Sequence, residues 1–236
     1  MLDPADPNLA RLEAAIERLG PLAGELVLVG GCATGLLVTD GGAAPIRPTI
    51  DVDLVLDVIA YAEFTAFETR LRSRGFTQRG GDDPICRWWA DSVCVDVMPV
   101  GGFLGFTNPW YAEAVAAAAE VRLPSGAIVR HVDAPHFVAC KLAAFESRGA
   151  DDPVTSHDAE DVVLVVDGRP EVVDEVAASA PDLRAAVARG IARMLGDGLF
   201  MDALEGYFDR PIAAARARIV RDRMAALAAA PADPAG

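Results

Sequence analysis

Three aspartates carry the clearest chemical signal in this sequence. In Thr49-Ile-Asp51-Val-Asp53-Leu-Val-Leu56 two carboxylates alternate with apolar residues, and on an extended chain alternate side chains share a face. Asp51 and Asp53 should therefore project together while Val52, Leu54 and Leu56 turn to a core. Two carboxylates side by side repel each other, and a divalent cation that favours hard oxygen ligands, Mg2+ above all, is the usual remedy. A bare pair of this kind is also what a solvated strand edge looks like. The third residue, Asp96, stands in Val93-Cys-Val-Asp96-Val-Met98, the one charge in an apolar alternating run. A carboxylate so placed needs a partner to offset its desolvation. Two partners are open: a metal shared with Asp51 and Asp53 across neighbouring strands, or an arginine such as Arg87.

The elements that must position these residues follow from periodicity and turn chemistry. Leu9, Leu12, Ile16 and Leu19 fall at helical spacing. Residues 25–30 read as a strand that runs into Gly30 and Gly31, and a helix over 32–39 follows. Such glycines let backbone N–H groups approach a polyphosphate, and a helix start favours its negative charge. A Gly-Gly pair is more often only a tight turn. Residues 40–45 form a loop, 50–58 a strand, and 61–74 a helix closed by Gly75. Strands are expected at 76–79, 85–90 and 93–100, and a hairpin at 121–123 and 127–131 around Pro124-Ser-Gly126. From Asp133 onward every segment reads helical, over 134–147, 156–167, 170–178, 182–195, 199–208 and 211–229. The expected organisation is an α+β (α/β) domain over 1–132, a helical domain over 133–229, and a flexible Ala/Pro-rich tail over 230–236.

Composition narrows the function classes. At 52% hydrophobic and 24% charged, the chain supports a packed core and a solvated surface. No apolar run reaches the roughly 20 residues of a membrane span, and the acidic, amphipathic N-terminal stretch lacks the pattern of a secretion signal, which points to the cytoplasm. The net charge of −14 argues against a general electrostatic grip on nucleic acid. Cys32, Cys86, Cys94 and Cys140 form no C-x-x-C pair, and the three histidines have no ligand spacing, so no zinc is expected and the thiols read as reduced and half-buried. Trp88 and Trp89 are adjacent on a strand and read as core, although one of them, or Trp110, has the ring to stack on a base. Arg216 and Arg223 share one helix face while Arg218 and Arg221 point the other way, which favours a solvated helix over a nucleic-acid stripe.

Lys141 is the single lysine among 21 basic residues. Its retention where arginine is otherwise used suggests a site that needs a compact ammonium, such as one on a triphosphate. Asp158 sits where it can cap a helix in Thr155-Ser-His-Asp158; Asp161, one turn later on the same face, has no such role. His157 reads as a surface residue.

The order strand, Gly-Gly, helix, Asp-x-Asp strand, later Asp strand resembles the DNA polymerase β-like nucleotidyltransferase superfamily. The wording Arg47-Pro-Thr49-Ile-Asp51-Val-Asp53 is close to the form found in its abortive-infection (AbiEii-type) toxin branch, and Lys141 with Arg148, followed by Asp158 and Asp161, resembles that branch again. The gap between Gly31 and Asp51 is longer than in compact members, the loop at 41–45 accounting for it. The resemblance implies a mixed sheet flanked by helices with a helical C-terminal bundle. It implies catalytic, metal-binding Asp51, Asp53 and Asp96 with Mg2+ (or Mn2+), and an NTP held by Gly30, Gly31, Arg47, Thr49, Lys141, Arg148, Asp158 and Asp161. The acceptor it implies is RNA, most simply tRNA, or a protein, and the partner it implies is an antitoxin. An aminoglycoside-type small molecule is the alternative acceptor, favoured by the acidic charge, and a catalytically inactive nucleotide-binding protein is a further alternative.

Overall fold

The computed structural model describes residues 6–148 and 152–229; the expected tail at 230–236 lies outside them. Strands β1 (Leu26–Leu28), β2 (Val52–Leu56), β3 (Arg87–Ala90), β4 (Val93–Pro99), β5 (Ala119–Arg122) and β6 (Ile128–His131) form one sheet in the order β3-β4-β2-β1-β6-β5. The sheet is mixed. β2 runs parallel to β4 and β1 to β6, whereas the β1–β2, β3–β4 and β5–β6 pairs are antiparallel. The helices are α1 (Leu9–Leu19), α2 (Gly30–Leu37), α3 (Tyr61–Ser73), α4 (Tyr111–Ala116), α5 (Ala134–Arg148), α6 (His157–Gly168), α7 (Val172–Ala177), α8 (Pro181–Gly196), α9 (Gly198–Ala203) and α10 (Ala213–Ala228). None of the described helices is long and apolar enough to cross a membrane.

The chain divides into two compact units. The first comprises residues 6–36 and 46–133 and contains the whole sheet. Its core follows from the alternation read in the sequence: Val52, Leu54 and Leu56 of β2 are buried, as are Cys94, Val95 and Val97 of β4. α1 adds Leu12, Ala15, Ile16 and Leu19, which fall on one face of the helix. α3 adds Phe64, Phe67 and Leu71. β5, at the sheet edge, is mostly exposed and carries Glu120 and Arg122, charges that discourage edge-to-edge pairing.

The second unit comprises residues 37–45, 134–148 and 152–229. Its helices pack closely where side chains are missing: a Cβ on Gly190 of α8 would lie 2.9 Å from Leu142 of α5. Residues 37–45, read in the sequence as the end of a helix over 32–39 and a loop over 40–45, group with this helical unit. The N–H groups of Thr39 and Asp40 both donate to the Gly168 carbonyl, at 2.8 and 2.9 Å. The Asp167 carboxylate, fully buried, accepts from Arg216 Nε at 2.6 Å and from the Ala44 N–H at 3.3 Å. Arg216 also donates to Asp40 Oδ2 at 3.1 and 3.2 Å. Arg223, on the same face of α10, donates to the carbonyls of Val166 and Asp167. α10 is thus solvated only on the face of Arg218 and Arg221; the face of Arg216 and Arg223 holds an internal ion network.

Local differences from the sequence reading have local causes. The strand expected at 76–79 reduces to one bridge, Thr77 to Trp89, because Gly80 and Gly81 at positive φ turn the chain away. α2 begins at Gly30 itself rather than after the glycines. The short α4 had no counterpart in the sequence reading. The four cysteines are buried rather than half-buried and form no disulfide, and burial pushes the thiols of Cys86 and Cys94 up to about 12.

Candidate functional site

Register puts the carboxylates together. Asp53 and Asp96 are direct partners across the parallel β2–β4 pair, and Arg87 is the direct partner of Asp96 across the antiparallel β3–β4 pair. Residues opposite each other in a ladder project from the same face, so Asp53, Asp96 and Arg87 stand in a row across three strands. Asp51, two residues before Asp53, joins them from the segment that leads into β2.

That leading segment is tied down by residues far away in sequence. The amide of Asn8, 1% exposed, donates to the Arg47 carbonyl at 2.9 Å and accepts from the Thr49 N–H at 2.8 Å. Thr49 Oγ1 then donates to Asp51 Oδ1 at 2.8 Å. Arg11 and Cys32 reach the carbonyls of Ile50 and Asp51, at 3.3 and 3.4 Å. Asn8 escaped the sequence reading because an asparagine just ahead of a helix looks like a cap. Here its side chain makes no cap and clamps the Asp51 strap instead.

The two glycines have different roles. Gly30 has φ +63°, and a Cβ there would lie 1.9 Å from Asp53 Oδ2 and 2.6 Å from Asp53 Cβ. Gly30 is therefore required by the close approach of Asp53 to the start of α2. Gly31 has ordinary room: its nearest neighbours would be Thr49 at 3.5 Å and the Arg47 guanidinium at 3.6 Å. Gly30, Gly31, Arg47, Thr49, Asp51, Asp53 and Asp96 thus gather within the first unit.

The partner of Asp96 is the arginine. Arg87 donates Nε to Asp96 Oδ1 and NH2 to Asp96 Oδ2, both at 2.8 Å, and the same NH2 also donates to Asp51 Oδ2. Burial raises the Asp96 carboxyl above its ordinary value, against the pull of the guanidinium, while the hydrogen bonds to Asp96 raise Arg87 further. Among the described residues no three acidic, thiol or imidazole side chains are grouped so as to hold a metal ion. In this arrangement the Arg87 guanidinium lies between Asp51 and Asp96, on oxygens that a Mg2+ or Mn2+ ion held by these carboxylates would also use.

No family model matches the chain. No curated protein matches it either. Among solved structures it is similar to the solution structure of the antibiotic-resistance factor ANT(2'')-Ia, with a TM-score of 0.44 and 14% identity, over 80% of this chain and 94% of that one. The abortive-infection branch, its RNA or protein acceptor and an antitoxin partner find no support in these comparisons.

The remaining expected residues form a second group inside the helical unit. Lys141 Nζ lies 3.2 Å from Asp158 Oδ1 and 2.6 Å from Asp161 Oδ2, and Arg148 Nε lies 2.9 Å from Asp158 Oδ2. Two cations and two carboxylates balance. Burial alone would raise Asp158, but Lys141 and Arg148 outweigh it and hold the carboxyl below its ordinary value. Asp158 is not the cap of α6: Ser156 Oγ accepts from the Ala159 N–H at 3.3 Å and takes that part. His157 is exposed beside Glu160. Trp88 is buried in the core, whereas Trp89 donates its indole N–H to Asp83 at 2.8 Å under the Arg79 guanidinium.

Proposed function

We propose that this chain is a nucleotidyltransferase, moving a nucleoside monophosphate from an NTP to a hydroxyl of a small cationic acceptor of the aminoglycoside kind. The observation that carries the reading is the pairing of Asp53 and Asp96 on one face of adjoining parallel strands, with Asp51 joined to Asp96 through Arg87 and the glycine start of α2 pressed against Asp53. Transfer requires an acceptor oxygen to attack the α-phosphorus while the bond to the pyrophosphate oxygen breaks. The hydroxyl proton must go to a base within hydrogen-bond reach. Asp96, raised by burial, is better matched to that task than an ordinary exposed carboxylate. The backbone N–H at Gly31 and the Arg47 guanidinium beside it suit the phosphate oxygens of the nucleotide, and charge that builds on departing pyrophosphate is stabilised by such fixed donors. The net charge of −14 favours a cationic acceptor over RNA, since like charge opposes a polyanion at long range.

The test is transfer of label from α-labelled NTPs, one base at a time with Mg2+, to an aminoglycoside panel, to total RNA and to cell protein. Label in an aminoglycoside, lost with Asp51→Asn, is the expected result. Label in RNA or protein instead returns the acceptor to the toxin-like class. Nucleotide binding with no labelled acceptor overturns the transferase reading in favour of a binding protein.

A further inference from the structure

The position of Arg87 bears on how the site is loaded. Its NH2 group donates to two oxygens at once, Asp51 Oδ2 and Asp96 Oδ2, which come from different segments of the chain. A divalent cation bridging the two carboxylates would need those oxygens at about 2.0–2.1 Å for Mg2+, inside a tight octahedral shell. A guanidinium nitrogen and a metal cannot both stand there. Nor is the arginine a casual surface contact. Arg87 is register partner to Asp96, its side chain is 14% exposed, and its fork engages both Asp96 oxygens. A bidentate fork of this kind is stronger than a single point contact.

We infer that Arg87 is the resident cation of the Asp51–Asp96 pair, and that a divalent cation binds there only by taking its place. Arg87 then sets the metal affinity of the site. With the arginine in place the two carboxylates are held close together and electrically satisfied, so the protein avoids two adjacent, partly buried negative charges. A metal held by Asp51 and Asp96 would need the oxygens that Arg87 engages, so the guanidinium would have to give them up. This inference rests on the transferase reading together with the divalent cation that the resemblance implies at these carboxylates, and it adds the residue that competes with the metal.

Mn2+ binding, followed by the resonance signal of the free ion, tests it on the full chain without nucleotide. Arg87→Gln should bind Mn2+ at least about tenfold more tightly than the unaltered protein, within the range by which groups outside the ligand set move metal affinity. Arg87→Lys, which keeps the charge and loses the fork, should fall between them. Mn2+ should also raise the melting temperature of Arg87→Gln more than that of the unaltered chain. Asp51→Asn should abolish the tight site in every background. If the unaltered protein binds Mn2+ through Asp51 but neither Arg87 variant binds it more tightly, exchange is wrong and the transferase reading survives. If no form shows Asp51-dependent Mn2+ binding, the metal site fails and this inference fails with it. Should Arg87→Gln not fold by circular dichroism, the comparison of Arg87→Lys with the unaltered chain decides.

Discussion

Two arginines in this molecule each bridge a pair of aspartates, and they differ in how completely their partners are satisfied. Arg216 holds Asp167 and Asp40 in the helical unit, where Asp167 is fully buried and also accepts from the Ala44 N–H. Arg223 adds bonds to the neighbouring carbonyls. Arg87 holds Asp96 and Asp51 on the sheet, and the side chains of all three keep between 10% and 18% of their surface exposed. The first is a keystone around a fully buried charge, Asp167, with Asp40 at its outer end 32% exposed. The second has one cation shared by two carboxylates at a reachable surface, the kind of arrangement in which a different cation can be substituted. The same residue types thus give stability in one place and exchangeability in the other.

The largest expected effect tests the keystone. Arg216→Ala strands a buried carboxylate and should cost about 3–5 kcal/mol of stability in chemical denaturation. A loss near zero would remove the contrast. At the sheet the emphasis should reverse. Asp96→Asn should lower nucleotidyl transfer about 100-fold or more, while stability moves by no more than about 1 kcal/mol.

The glycines sharpen the contrast next. Gly30→Ala drives a Cβ into Asp53 at positive φ and should cost more than about 1 kcal/mol together with activity. Gly31→Ala fits, so its stability should hold or rise by up to about 1 kcal/mol for a better helix former. Loss of transfer without loss of stability at Gly31 would mark close approach of a phosphate to that backbone.

The smallest effects concern acid. Asp158 is depressed below 3.8, so its contribution is full above that value and is lost as pH falls through its lower folded value. Asp96 is raised above 3.8, so its contribution has the opposite sense: present below 3.8 and lost as pH rises through its higher folded value. Urea denaturation from neutral pH down to about 3 should therefore flatten at the acid end in Asp158→Asn, and lose a shallow opposite trend above 3.8 in Asp96→Asn.

What the sequence disclosed was what local periodicity encodes. The alternation around Asp53 and the single charge among the valines of β4 were legible because a strand has period two and each reading needs only a few neighbours. Arg87 was visible as a partner for Asp96, but placing it there needed the β3–β4 register, which no local pattern supplies. Asn8 was invisible because its partners lie 39 and 41 residues away. The shared face of Arg216 and Arg223 was readable from helix geometry; their acceptor was not, since Asp167 ends an apolar run in α6 that reads as plain core. The Gly-rich stretch at 41–45 looked like a spacer, yet Thr39 and Asp40 just ahead of it bond Gly168 and Arg216, and Ala44 within it bonds Asp167, all more than a hundred residues further on.

That excursion also bears on the order in which the protein can be built. Residues 37–45 leave a translating ribosome long before α6 and α10, their anchors. At roughly 5–20 residues per second they must wait about ten seconds or more without their partners. The sheet strands on either side of the excursion can pair in that interval, closing a loop that still lacks its acceptors. Separating the halves by cutting the gene at residue 133 would divide the helical unit, not release it. A complementary fragment carrying only 134–236 should fold poorly until a peptide spanning residues 37–45 is supplied.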